Sequence, residues 1–560
     1  MKYILLLLIY TPVFSQINYP KDYFRPPLDI PMQLSGNFGE LRPNHFHAGL
    51  DFKTQQKEGQ IVHATADGFI SRIKISPYGY GKAIYIDHPN GYTTVYGHLQ
   101  KGYGAVESYI QAEQYKNQSY EIEVFPEPGT LAVKKGDTIA ISGNTGGSEG
   151  PHLHFEIRDT KTERIINPQL FGFEIKDSRK PMVSGLMVYP IGENSAVNES
   201  ARPIMLGMSL QPDGTYISEK VLANGKLGFG ITGVDQDDVS YSNNGYFKVE
   251  TFFNGQSYFG YQFDTYAFDE GRFINALIDF PRYKKTKVRV QKLFMQNPYP
   301  LTIIRSTEKN GIVEALPNLS MSYKIEVSDF VGNKTTILIP IDYSPLPPKI
   351  PTETIPTKYF VKANKDSNFE KDNMSVFFPA GTFYDDFYLN FDVKDGVMTV
   401  QDDYTAVHSN FQVMITDEKA TQKEKTFIAS VSGKKLNYNF TKVKDNTFTA
   451  YTKNLGDFKL AKDTIAPKIS IAKPIEGKWI TGQKTISLSI SDNLSGIKTY
   501  SGFINEKWVM FEYDYKARKI TYRIDDAQLA EGKNDLKVIV SDNLGNSAIF
   551  ETQFFRSQKK

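Results

Sequence analysis

From about residue 175 to its end, this chain is dominated by short runs of alternating apolar and polar residues, broken by Gly, Asn and Asp. Tyr323-Lys324-Ile325-Glu326-Val327 and Leu536-Lys537-Val538-Ile539-Val540 are examples. A period of two sends alternate side chains to opposite faces of an extended backbone, and runs of this length suit strands. Long stretches of helical period are scarce. The pattern therefore predicts a mainly β protein. The 38 Phe and 34 Tyr suit the same reading, because aromatic side chains pack well on a pleated surface. At 560 residues the chain is too long for one core, so several domains are expected.

A weak internal repeat sets boundaries. Asp177, Pro181 and Val183 open one unit, and Asp463, Pro467 and Ile469 open another. The first closes on Val327-Ser328-Asp329 with Gly332-Asn333, the second on Val540-Ser541-Asp542 with Gly545-Asn546. In each, the Asp and the Gly-Asn pair suit a tight turn between strands. On these motifs both units resemble bacterial immunoglobulin-like β-sandwich modules. Pro345, Pro347, Pro348, Pro351 and Pro356 make a stiff linker between them. The expected order is a β-sandwich with insertions over 176–344, a Pro-rich linker over 345–357, a β-rich domain over 358–462 and an immunoglobulin-like β-sandwich over 463–560. None of these regions shows a catalytic constellation, and they read as spacers or binding modules.

The N-terminus reads as a secretory signal. Met1-Lys2 precedes the apolar run Tyr3 to Tyr10, and small residues follow to a cut after Ser15. The run is well short of the ~20 apolar residues of a membrane-spanning helix. The expectation is a signal peptide over 1–15 and an exported protein, periplasmic or extracellular, without a membrane span. The absence of cysteine excludes disulfides, thiolate metal sites and thiol nucleophiles together, so any metal must be held by His and carboxylate. A formal net charge of +2 gives no basic field for nucleic acid.

Seven of the eight histidines fall between positions 45 and 154. In His47-Ala48-Gly49-Leu50-Asp51-Phe52 the alternation puts His47, Gly49 and Asp51 on one strand face, with Gly49 leaving room above the backbone. His152-Leu153-His154-Phe155-Glu156 repeats the pattern, with both histidines on one face. Two imidazoles and a carboxylate suit zinc and leave one position open for water. Gly146-Gly147-Ser148-Glu149-Gly150 satisfies a nucleophile-elbow pattern, but a strand follows it instead of the required helix, so Ser148 is a loop residue. His45 is expected near the site or in a structural role, Glu156 beside His154, and His63, His88 and His408 in structural roles.

The segment Phe46 to Phe52 resembles the first motif of the lysostaphin/LytM-type zinc endopeptidases. Val95-Tyr96-Gly97-His98-Leu99 is similar to their middle histidine motif, and Gly136-Asp137-Thr138-Ile139, Ser142 to Gly146 and Gly150-Pro151-His152-Leu153-His154-Phe155-Glu156 to their C-terminal stretch. The resemblance covers about residues 34 to 168 and implies an antiparallel β-sheet zinc endopeptidase domain over 16–175. Carried over by position, it makes His47, Asp51 and His154 the ligands of one zinc ion, with His98 and His152 as the catalytic pair. A long segment between His98-Leu99 and Val133 departs from the compact pattern; helical spacing from about Ala105 to Tyr115 predicts an inserted helix and arm, either beside the groove or as a decorative surface insertion.

The function implied is hydrolysis of peptide crossbridges in bacterial peptidoglycan through a zinc-activated water. The competing readings are a non-catalytic LytM-type regulator or wall-binding scaffold that activates another hydrolase, and an envelope protein whose β-modules carry the function. Peptidoglycan stem peptides are the expected partner, with an envelope protein held through the C-terminal β-modules.

Overall fold

The computed structural model describes residues 18–352, 355–525 and 528–557, so the expected signal peptide lies outside the described residues. The protein is mainly β. The strands that position the site are β1 (Leu34–Gly36), β2 (Leu50–Lys53), β3 (Gly68–Ile75), β4 (Lys82–Asp87), β5 (Tyr92–Gly97), β6 (Ile122–Val124) and β7 (His152–Asp159). They lie in the order β1-β2-β7-β5-β4-β3-β6, all antiparallel, as the backbone of a ten-stranded sheet. Ile61–His63, Thr138–Ser142 and Leu99–Gly102 form a second, three-stranded sheet. Leu50, Phe52, Leu153 and Phe155 belong to one buried cluster, each at most 2% exposed. These are the apolar partners of the alternating polar residues, so burying them turns the polar set to the other face.

One strand of the following unit completes the first sheet. Ile165–Ile166 pairs antiparallel with Thr265–Tyr266. The two units consequently share one hydrophobic cluster that runs from Phe24 to Ile341. A twelve-stranded sheet occupies most of residues 182–343. Two five-stranded sheets enclose a separate core around Phe378, Phe411 and Phe458. A four-stranded and a five-stranded sheet enclose another around Leu488, Ile520 and Val538. Among the described residues no helix is long and apolar enough to cross a membrane.

The expected helix is present as α1 (Ala105–Asn117), but it stands elsewhere than beside the groove. Val106, Ile110 and Gln114 bury against the protein, and Tyr115 faces the last unit. Its hydroxyl donates to Gln528 at 3.1 Å and its ring meets Trp508 edge-on at 5.2 Å. The insertion thus docks the C-terminal unit.

Candidate metal centre and cleft

Sheet register places the first two side chains. Asp51 on β2 is directly opposite His154 on β7, so both leave the same face. His154 is in turn opposite Gly97 at the end of β5, where an added Cβ would approach the His154 Cβ to 3.3 Å.

His47 arrives by another route than the alternation predicts. It lies in the segment before β2, outside a regular strand, with its N–H donating to Glu40 O and its carbonyl accepting from Gly39, both at 2.9 Å. The space at Gly49 is used by the neighbouring backbone: a Cβ there would lie 2.2 Å from the Phe155 carbonyl oxygen. Close strand approach, not room for a ligand, is what requires glycine at 49.

His98 follows β5 in the left-handed region, at φ 58°, its N–H donating to Tyr80 O at 2.8 Å. That conformation is uncommon for a residue with a Cβ and is held here by the surrounding structure. It turns the ring toward His152, 4.7 Å away between centroids.

The three buried groups His47, Asp51 and His154 converge. Asp51 Oδ1 lies 3.1 Å from His47 Nε2 and 2.9 Å from His154 Nδ1, and those two nitrogens are 3.1 Å apart. The outer nitrogens are already committed. His47 Nδ1–H donates to the Asn37 carbonyl at 2.7 Å, and His154 Nε2–H donates to Glu156 Oε1 at 2.8 Å. A backbone carbonyl can only accept, and Glu156 is held as a carboxylate, so the inner nitrogens carry lone pairs. Two lone pairs and a carboxylate oxygen within hydrogen-bond distance of one another, all buried, demand a cation. Burial pushes His47 down to about 4. Burial also opposes charge on His154, yet the hydrogen bonds to Asp51 and Glu156 outweigh it and lift that ring to about 9. Without a metal, one proton on His154 is the relief available. The donor set of two neutral imidazoles and one carboxylate fits zinc.

The auxiliary rings follow the same logic. His98 Nδ1–H donates to Thr145 O and His152 Nδ1–H to Gly150 O, each at 2.8 Å. Both Nε2 atoms are therefore bare. His152 Nε2 is buried without a hydrogen-bond partner, 3.4 Å from Asp51 Oδ1. Burial, with His152 and His154 nearby, pushes His98 down to about 3.

A second layer orients the first. Arg42 Nη2 donates to Asp51 Oδ2 at 2.5 Å and to Glu40 at 3.1 Å. Burial opposes charge on Asp51, but His47 first, and then His152 and His154 around it, hold its carboxyl well below the usual carboxylate range. Glu156, wholly buried, accepts from His154, from the Tyr80 hydroxyl and from Arg158 Nε at 2.7 Å. Burial opposes its ionisation, but Arg158 first and then these hydrogen bonds hold it at about 2. The Tyr80 ring stacks on His154 at 4.9 Å. Asn37, Arg42, Tyr80 and Arg158 are the residues that sequence reasoning missed. Only Arg158 carried a signal, two positions after Glu156 on the same strand face; Asn37 and Arg42 stand a few residues before His47 but in no shared period with it, and Tyr80 comes from a turn.

The five expected site residues line one open cleft of about 1090 Å³. Phe268 and Gly271, from the following unit, line it too, whereas no residue of 101–130 does. Exposed His45 lies in its wall, its Nδ1 against Pro43 O at 2.8 Å. His63 contacts Asp29 and Gly136 O, His88 contacts Asp67 O and Thr94, and His408 stacks on Phe273. Ser148 sits in a loop and donates to Gly150 O at 2.7 Å.

Residues 45–115 and 128–168 match peptidase family M23, and residues 358–463 match the Zu5-like domain. A metalloprotease of Haemophilus influenzae is 34% identical over 157 residues, 26% of this chain and 27% of that protein. The peptidoglycan DD-endopeptidase ShyB of Vibrio cholerae is 34% identical over 111 residues, 20% of each chain. The chain thus spans about a quarter or less of the length of these curated relatives. The catalytic domain of lysostaphin from Staphylococcus simulans is 25% identical over 26% of this chain and 93% of that one, with a TM-score of 0.20.

Proposed function

We propose, from the match of residues 45–115 and 128–168 to peptidase family M23, that the chain is an exported, zinc-dependent endopeptidase of bacterial peptidoglycan. The observation that carries the reading is the inward set of lone pairs on His47, His154, His98 and His152 around Asp51, each ring's N–H being spent on an outer acceptor. His47, Asp51 and His154 would hold the ion. When bound, zinc supplies an electrophile that makes water ionise near pH ~7 and polarises the scissile carbonyl.

The protein's own part is proton handling and orientation. The bare Nε2 atoms of His98 and His152 face the cleft as bases; one accepts the proton of the attacking water and returns it to the leaving amine. Their Nδ1–H bonds to backbone carbonyls fix both tautomers and ring planes, so neither ring must reorganise during the reaction. The name of the Vibrio cholerae relative supports peptide crossbridges as substrate, and the apolar leader supports export to where that polymer lies.

Incubating zinc-loaded protein with purified sacculi and resolving the digest by mass spectrometry tests this. Crosslinked muropeptides should fall into shorter stems; an unchanged digest with one zinc bound per chain would overturn it.

A further inference from the structure

The second and last units each bring three carboxylates to one end of their sheets in the same way. Asp177 precedes Met182–Val197, Asp235 follows Val221–Val234, and Asp329 follows Ser320–Ser328. Likewise Asp463 precedes Lys468–Ser470, Asp492 follows Thr485–Ser491, and Asp542 ends Gly532–Asp542. Within each triad one oxygen from every carboxylate lies within 4.8 Å of the others. The closing turns are bonded alike. Asn333 and Asn546 reach from them with Nδ2 to the carbonyls of Asp177 and Asp463, at 3.3 and 3.0 Å.

Turn bonding accounts for some of these oxygens and leaves others without a donor. Asp235 Oδ1 is buried and unpartnered, and so is Asn244 Oδ1. Their residues are 6% and 5% exposed and form an antiparallel bridge that sets both side chains on one side of the sheet. In the last unit Asp492 Oδ1 and Ser495 Oγ are buried and unpartnered. Ser495 is 4% exposed, and its N–H donates to Asp463 Oδ2 at 2.9 Å, which seats it against the triad. Buried acceptors without donors are costly, and clustered carboxylates repel one another. Burial and the Asp329 and Asp177 charges push Asp235 up to about 8, so the first triad does not carry three charges at neutral pH without a counter-ion.

We propose that each triad binds one calcium ion, the first joined by Asn244 and the second by Ser495. All available ligand atoms are oxygens, the donor set that suits a hard cation. Opposite ligands about 2.3–2.6 Å from calcium stand about 5 Å apart, the reach of these triads, whereas magnesium requires a tighter octahedron. Both ions sit at junctions, because Asp177 and Asp463 are the residues through which the chain enters each unit. The first also braces the catalytic domain. Gly245, next to Asn244, exchanges hydrogen bonds of 2.8 and 2.9 Å with Asn37, whose carbonyl holds His47.

Calorimetric titration of the full-length, zinc-loaded protein with calcium chloride tests the proposal. Two ions should bind per chain and the melting temperature should rise by several degrees. Asp235→Asn and Asp492→Asn should each bind one ion, and His47→Ala should still bind two. The parent stoichiometry and the second variant decide the matter if one variant fails to fold. No calcium bound at millimolar concentration, two ions retained in either Asp variant, or equal binding of magnesium chloride would each overturn it.

Discussion

The Lys516 ammonium donates to the Ser148 carbonyl at 2.9 Å, and to Asn144 O at the same distance, tying the last unit to the loop beside the cleft. That loop supplies Thr145 O and Gly150 O, which orient His98 and His152. Tyr515 packs on Tyr78 at 4.8 Å, and Lys82 pairs with Glu512 at 2.7 Å across the same contact. Lys516 is therefore a positioning residue. Lys516→Ala should lower kcat about tenfold, through loosened geometry, with KM and zinc content unchanged, and Lys516→Arg should restore most of it. Steady-state kinetics on a crosslinked muropeptide, with metal analysis, checks this; an unchanged kcat would contradict it.

The ligands and the auxiliary pair should separate cleanly. His98→Ala and His152→Ala should each lose about 10²–10⁴-fold in turnover while retaining the metal. His47→Ala and Asp51→Ala should lose the metal itself. Elemental analysis beside activity distinguishes the two classes.

Glu156 acts through His154. Tyr80→Phe removes one donor to that carboxylate and should weaken zinc affinity about 10- to 100-fold with little loss of stability. Glu156→Gln should do the same and also destabilise the fold by about 1–3 kcal/mol, because buried Arg158 loses its close carboxylate and keeps only the longer pair to exposed Glu163 at 3.7 Å. Chelator competition and denaturant unfolding separate these effects.

Gly49→Ala should prevent a functional centre. The added methyl would meet the Phe155 carbonyl at 2.2 Å, forcing apart the two strands that carry Asp51 and His154. A cost of about 1–3 kcal/mol and loss of metal binding are expected, readable by thermal unfolding and zinc content.

Acid should destabilise the protein partly through His88. Burial holds its pKa below the ordinary 6.5, so the unfolded chain takes up the proton first. Stability from this residue is fully present above pH ~6.5 and is lost as pH falls through the folded value. His88→Gln should flatten the corresponding part of a stability-versus-pH curve measured by urea unfolding.

Alternation alone specified the β character and the polar face of His152, His154 and Glu156, because period two is a local property of the backbone. It misled at His47, where backbone bonds to Gly39 and Glu40 override the local pattern. The helix at Ala105–Asn117 was legible from its spacing, but its place was not, since its partners Trp508 and Gln528 lie some four hundred residues away.

By itself the sequence determined which residue types carry the chemistry: without cysteine, a metal is left to histidine and carboxylate. It also marked two of the three aspartates of each triad through the repeated turns. Only the tertiary structure decided that Asp51 faces His154, that each imidazole spends its outer N–H on a carbonyl or carboxylate, and that Asp235 and Asp492 complete their triads. Those relations depend on strand register and burial, which join residues far apart in the chain and leave no periodic trace in it.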